Sequence, residues 1–246
     1  MDFVRIYGEK LIEIIRRILS IQEETICQGG IIIADCLKND GIVNVFGTGH
    51  SRLIAEEAFY RAGGMISVNP LLNEKLYFTK GAIQASFTER NEDIVFEILK
   101  ENKMESKDVG IVVSNSGINV APVEMTIQMK KIGMKVISIV SLKQSKSSKS
   151  LHKSGKKLYE LADVVIDNCG EYGDALISMP GLNFKIGPSS TVSGSFIIHS
   201  LFIKAAEEML KRGEKPLVFP SINIEGVSLD VFKQMFEKYK NRIRYY

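Results

Sequence analysis

No apolar run in the chain approaches the ~20 residues that a membrane-crossing helix needs. The opening Met1-Asp2-Phe3-Val4-Arg5 also lacks the basic-then-apolar layout of a secretory leader. A cytoplasmic protein with no membrane partner is expected. Cysteine is scarce. Cys27, Cys36 and Cys169 are an odd number, none forms a Cys-x-x-Cys pair, and none sits near a histidine at zinc-ligand spacing. This argues against a disulfide scaffold and a metal centre, and no cofactor of any kind is expected. Cys169 follows an apolar run, so a nucleophilic or redox role there stands beside the plainer reading of a buried free thiol. Long blocks of one charge are missing as well. The 32 Lys+Arg and 29 Asp+Glu, net +3, are spread along the chain, which gives no support to nucleic acid as a partner.

What the chain does have is 246 residues with 45% hydrophobic content, enough for one well-buried domain over 1–246. No linker or solenoid repeat divides it. Apolar side chains at Phe3, Tyr7, Leu11, Ile14, Ile15 and Ile18 recur at steps of three and four, and Ile26, Gly30, Ile33, Ala34 and Leu37 continue the pattern. Two N-terminal helices over residues 1–40 are read from this, packing on the core or on a partner subunit, with Asn39-Asp40-Gly41 as the breaker. From residue 42 the pattern changes to short Val- and Ile-rich runs: Ile42 to Phe46, Met65 to Val68, Val109 to Val113, Val136 to Val140 and Val164 to Ile166. Near-continuous apolar runs suit parallel strands covered on both faces. Helical patterns over Arg52 to Arg61, Asp93 to Lys103 and Val120 to Ile132 read as crossovers, so the expected class is α/β, a three-layer sandwich around a five-stranded parallel sheet. A largely buried helix follows over Val192 to Leu210 and a short amphipathic one over Val231 to Tyr239. Asn73 to Asn91, Ser141 to Lys157 and Gly170 to Ser190 read as long irregular connections.

Three polar loops stand where such a sheet places its ligand crevice. Gly47-Thr48-Gly49-His50-Ser51 runs from the first strand straight into a helix. Its glycines permit close approach of the backbone to an anion, and the helix N-terminus favours negative charge. The third glycine of the dinucleotide fingerprint is absent, since Leu53 occupies its place. After the third strand comes Ser114-Asn115-Ser116-Gly117-Ile118-Asn119. The hydroxyls of Ser114 and Ser116 and the amide of Asn119 can donate to phosphate oxygens, or Asn119 can merely cap the helix ahead of Pro122. Gly187-Pro188-Ser189-Ser190-Thr191 opens the long apolar helix with three successive hydroxyls, where capping alone needs one.

These three loops, in this order, resemble the sugar isomerase (SIS) domain. Phe46 to Gly64, Leu158 to Asp167 and Gly187 to Gly194 are similar to stand-alone SIS proteins of the UPF0309 type, and the resemblance covers most of the chain. It implies a flavodoxin-like fold, a phosphosugar site lined by serines and threonines, and a homodimer or higher homo-oligomer with sites near subunit interfaces. The phosphate loop of the family usually reads Ser-x-Ser-Gly-x-Thr, and Asn119 takes the last position here. Arg61 stands where phosphoheptose isomerases and muramic-acid-phosphate etherases of the superfamily carry an acid.

Aldose–ketose isomerisation moves a proton between adjacent carbons and needs a poised base. Glu56, Glu57 and Glu89 are the carboxylates within possible reach, with surface solvation as the alternative for each. Arg61 either binds an anionic group or pairs with Glu57 at i, i+4 spacing. His50, inside the glycine loop, is a ligand contact. His199 lies on the long apolar helix, where isomerases of the superfamily often carry an active-site histidine and where a lone histidine is equally a satisfied core residue. The expected ligand is a small sugar phosphate. Catalysis by an isomerase or related lyase, sensing without turnover, and an empty scaffold remain as alternatives.

Overall fold

The computed structural model describes residues 2–246, with Lys80 by its backbone alone. In chain order the elements are α1 (Phe3–Lys38), β1 (Val43–Gly47), α2 (Arg52–Ala58), β2 (Val68–Pro70), α3 (Ala82–Thr88), α4 (Asp93–Glu101), β3 (Val109–Val113), α5 (Val120–Ile132), β4 (Lys135–Val140), α6 (Leu142–Lys146), α7 (Leu158–Leu161), β5 (Val164–Asp167), β6 (Ala175–Ile177), β7 (Ile186–Pro188), α8 (Ser190–Lys211) and α9 (Leu229–Glu237). β1 to β5 form a parallel sheet in the order β2-β1-β3-β4-β5. Every residue of β1 and β3 is buried, as their unbroken apolar runs predict.

Helices cover both faces. On one, α1, α2 and α8 bury Ile18, Ile33, Ile54, Ile197 and Leu201 against Val43, Val45, Ile111 and Ile137 of the sheet. On the other, α4, α5 and α7 bury Ile98, Met125, Met129 and Leu158 against Phe46, Val112 and Val136. A third cluster joins Ile42 and Ile66, just ahead of β1 and β2, to Phe219, Phe232, Tyr239 and Ile243. The C-terminal segment therefore seals the N-terminal edge of the strands and leaves their C-terminal ends open.

The two expected N-terminal helices are one helix of 36 residues. No glycine or proline interrupts Leu19 to Thr25, so the polar stretch continues as helix, and the side chain of Gln22 reaches in to accept the N–H of Asp167 at 3.1 Å. The break comes at Asn39-Asp40, where Asp40 has φ +55°. The second strand begins at Val68, not Met65, which instead bridges to Val218. The first crossover helix ends at Ala58, ahead of Tyr60 at φ +42°. Within the connections expected to be irregular lie α3, α6 and the antiparallel β6–β7 hairpin. Among the described residues no helix is long and apolar enough to cross a membrane.

Candidate functional site

The loops after β1, β3, β4 and β5 converge on the N-terminus of α8 and enclose a cleft of about 320 Å³. Local geometry shapes each wall. Gly47 lies so close to the next turn that a Cβ there would sit 2.4 Å from the carbonyl oxygen of Ser51, and the chain then rises through Thr48 to an exposed His50 that packs against Phe78, ring centroids 4.9 Å apart and planes tilted by 41°. In the second loop Gly117 adopts φ +64°, and its N–H donates to Ser114 Oγ at 3.1 Å, curling the backbone around the buried Ser114. A Cβ on Gly117 would meet Val140 at 2.8 Å and Ser145 at 2.9 Å, so glycine is required twice over.

The structure gathers most of the predicted residues here. Thr48, His50, Ser51, Glu89, Ser114, Asn115, Ser116, Asn119 and Ser190 all line the cleft. Thr191 lines a small adjoining hollow with His50, Ser51 and Ser190. Gly47 and Gly49 shape the loop and do not line the cleft. Ser189 is fully buried beneath it. Asn119 is the N-cap of α5, yet its side chain makes no cap bond and donates instead to Glu89 Oε1 at 3.0 Å.

Glu89 arrives from the end of α3 and spans the first two loops, accepting from Asn119 and from the hydroxyl of Thr48. Burial pushes its pKa above the ordinary 4.5, against the lowering effect of those two hydrogen bonds and of nearby Arg90. A carboxylate whose pKa is raised inside a cleft is the kind of group found at functional sites.

Glu57 and His199 are not brought to this cleft. Glu57 Oε1 lies 3.1 Å from His199 Nε2 and pairs with Arg61, the i, i+4 partner expected for it. Arg61 and His199 line a separate apolar groove of about 600 Å³ with Phe202, Ile203 and Leu210. Burial, and then the charge of Arg61, hold the His199 pKa below 6.5. Glu56 is taken by Arg52 at 2.9 Å. The Cys169 thiol is pushed up to about 11 by burial and by Asp167, so it is protonated at neutral pH, contrary to a nucleophilic role.

Three cleft residues were not anticipated: Gln144, Gly173 and Asp174. Asp174, at φ +68°, is the most consequential. Its Oδ1 accepts the N–H groups of Ser189 and Ser190 at 3.0 and 2.8 Å and the Ser189 hydroxyl at 3.0 Å, and its Oδ2 accepts the Ser190 hydroxyl at 2.6 Å. A carboxylate from a distant turn thus caps α8, an arrangement that no local capping pattern reveals.

Away from the cleft, one group among the described residues has donor atoms close enough to share a cation: Glu92, Glu124 and His152. They are far apart in sequence, so spacing gave no sign of them. Protein groups already occupy them. His152 Nε2 lies 2.8 Å from Glu124 and Nδ1 2.7 Å from Ser154, while Lys153 holds Glu92 at 2.7 Å.

Comparison with known proteins follows the same lines. The family model described as SIS domain matches residues 6–141, more than half of the chain. The chain belongs to the SIS-domain family. Within it, a UPF0309 protein of Caldanaerobacter subterraneus is 40% identical over 243 residues, covering 98% of each chain. A UPF0309 protein of Geobacillus kaustophilus is 38% identical over 237 residues, 96% of this chain and 94% of its own. Among solved structures, a phosphoheptose isomerase from Francisella tularensis superposes with a TM-score of 0.54 at 16% identity, over 84% of this chain and 97% of that one, a likeness of fold. The SIS match reaches from within α1 to the end of β4, and so includes the first two cleft loops.

Proposed function

We propose that the cleft binds a phosphorylated sugar, with the phosphate on the Ser114–Asn119 loop, and that Glu89 exchanges the proton in an aldose–ketose isomerisation. The observation that carries this reading is the single cleft in which three hydroxyl-rich, strand-end loops meet around a carboxylate with a raised pKa. Backbone N–H groups of a curled loop together with serine hydroxyls hold phosphate without any cationic side chain. Membership of the SIS family, and fold likeness to the phosphoheptose isomerase from Francisella tularensis, support the ligand class. The test is incubation with hexose, heptose and pentose phosphates, followed by NMR and mass spectrometry. Turnover that is lost in Glu89→Gln, with ligand binding retained, is the expected result; unchanged turnover in that variant removes Glu89 from the mechanism.

A second reading, a sensor that binds without turnover, draws on one observation. Glu57 and His199 are paired with each other beside Arg61 and do not line the cleft, so Glu89 lacks them as partners in proton transfer. Saturable binding without product would favour it. We further propose a homodimer. The groove beside α8 is apolar, and Ile203 and Leu210 on the same helix are 71% and 62% exposed.

A further inference from the structure

Two carboxylates, Glu89 and Asp174, line the cleft, and among the described residues no lysine or arginine does. Of the nearby cations, Arg52 bonds Glu56 and lies over the ring of Tyr77, Lys143 pairs with Glu171, and Arg90 acts on Glu89, the residue before it. The phosphate of a ligand finds N–H groups and hydroxyls on one wall. The remainder of the ligand meets Asp174, whose partners within the chain are all neutral.

Asp174 also decides which end of the ligand goes where. Its carboxylate fills the N-terminus of α8, a helix of 22 residues, by taking two N–H groups and two hydroxyls. An anion is therefore already present where the Ser189-Ser190-Thr191 cluster suggested a phosphate. A second anion is repelled from that end and left with the Ser114–Asn119 loop. The sugar then faces Asp174. Its Oδ2 accepts a single hydrogen bond within the chain, from Ser190, and so keeps acceptor capacity on a residue that lines the cleft.

Resting on the reading that the cleft takes a sugar phosphate, we propose that its ligand is an amino sugar phosphate with a free, protonated amine whose ammonium meets the Asp174 carboxylate. A hydroxyl or an acetamido N–H also donates to a carboxylate but cancels no charge. An ammonium does both, at a carboxylate whose partners within the chain are all neutral.

Isothermal titration of the full chain at pH 7 and low salt tests this, with the 2-amino-2-deoxy 6-phosphates of glucose, galactose and mannose set against the parent hexose 6-phosphates and the N-acetylated forms. The expected result is that an amino member binds about tenfold or more tightly than both of its neutral counterparts, a difference readily resolved by titration. The preference should shrink as salt is added and as pH rises past the pKa of the amine. Asp174→Asn should lose most of the preference while still binding the neutral hexose phosphate. Should that variant fail to fold, the salt and pH series on the unaltered chain decides the matter. Equal or tighter binding of the neutral or N-acetylated members overturns the amine assignment and leaves the phosphosugar reading standing. Binding of no member at all overturns the phosphosugar reading itself, and the amine assignment with it.

Discussion

Glu89 joins two loops that meet only in the folded chain. Its neighbours in sequence, Thr88 and Arg90, say nothing of this, whereas Thr48 and Asn119 hold its carboxylate in place. The raised pKa has a consequence for stability whose sign follows from linkage. The carboxylate is ionised less readily in the folded state than in the unfolded one, so its burial opposes folding in full above the folded pKa. That cost fades as pH falls and is gone below the unfolded value. Glu89→Gln is therefore expected to be more stable than the unaltered protein at pH 7 and to lose the advantage near pH 4. Urea unfolding at the two pH values checks this, and an advantage that grows on acidification would contradict the assigned environment. At this scale the sequence was only partly legible. Serines and glycines announce themselves by clustering, and nine of the predicted residues line the cleft. Asp174 escaped because it caps α8 from a separate turn; Glu57 was chosen for its place after the first loop and His199 on the family resemblance, yet His199 lines a different groove and Glu57 bonds it there.

At the scale of elements, strand identity was readable because β-branched runs covered on both faces have few alternatives. Helix continuity was less so. A polar stretch between two apolar stripes reads as a break, yet in α1 it is simply the solvent side of a helix without a breaker. The small residues in its second half have a packing role. A Cβ on Gly30 would lie 2.6 Å from Cβ and Cγ of Lys204 and 3.1 Å from the backbone oxygen of Leu201, so α1 and α8 approach closely at that point. Gly30→Ala should gain up to about 1 kcal/mol from helix propensity. It should nonetheless lose about 1–3 kcal/mol overall, because the two helices must part. A thermal melt of the variant reads the sign directly, and a rise in Tm would show that the contact is loose.

At the scale of the whole molecule, the C-terminal segment contributes a closure that the sequence pattern did not foretell beyond a short amphipathic helix. Asp108, just ahead of β3, is buried and accepts the N–H groups of Ile42 and Glu105 at 3.0 and 2.8 Å, while Arg242 meets its two carboxylate oxygens at 2.8 Å each. Removing one partner of a buried pair strands the other. Asp108→Ala is expected to cost about 3–5 kcal/mol, seen as a lower urea midpoint; a loss below about 1 kcal/mol, the range of exposed pairs, would show that Arg242 finds other partners. With this edge sealed by aromatic packing, the open ends of the strands are left for the ligand, as expected of a doubly wound sheet.

The measurement that bears most directly on the central claim is the thermal stability of the purified chain with and without a panel of sugar phosphates, repeated on Ser116→Ala. A ligand that binds the folded state alone raises Tm by mass action, by about 2.7 kcal/mol of stabilisation at a hundredfold excess over Kd. The account predicts such a rise with at least one sugar phosphate, much reduced in Ser116→Ala, whose ligand-free Tm should be little changed. No rise with any sugar phosphate, or an undiminished rise in the variant, would contradict it.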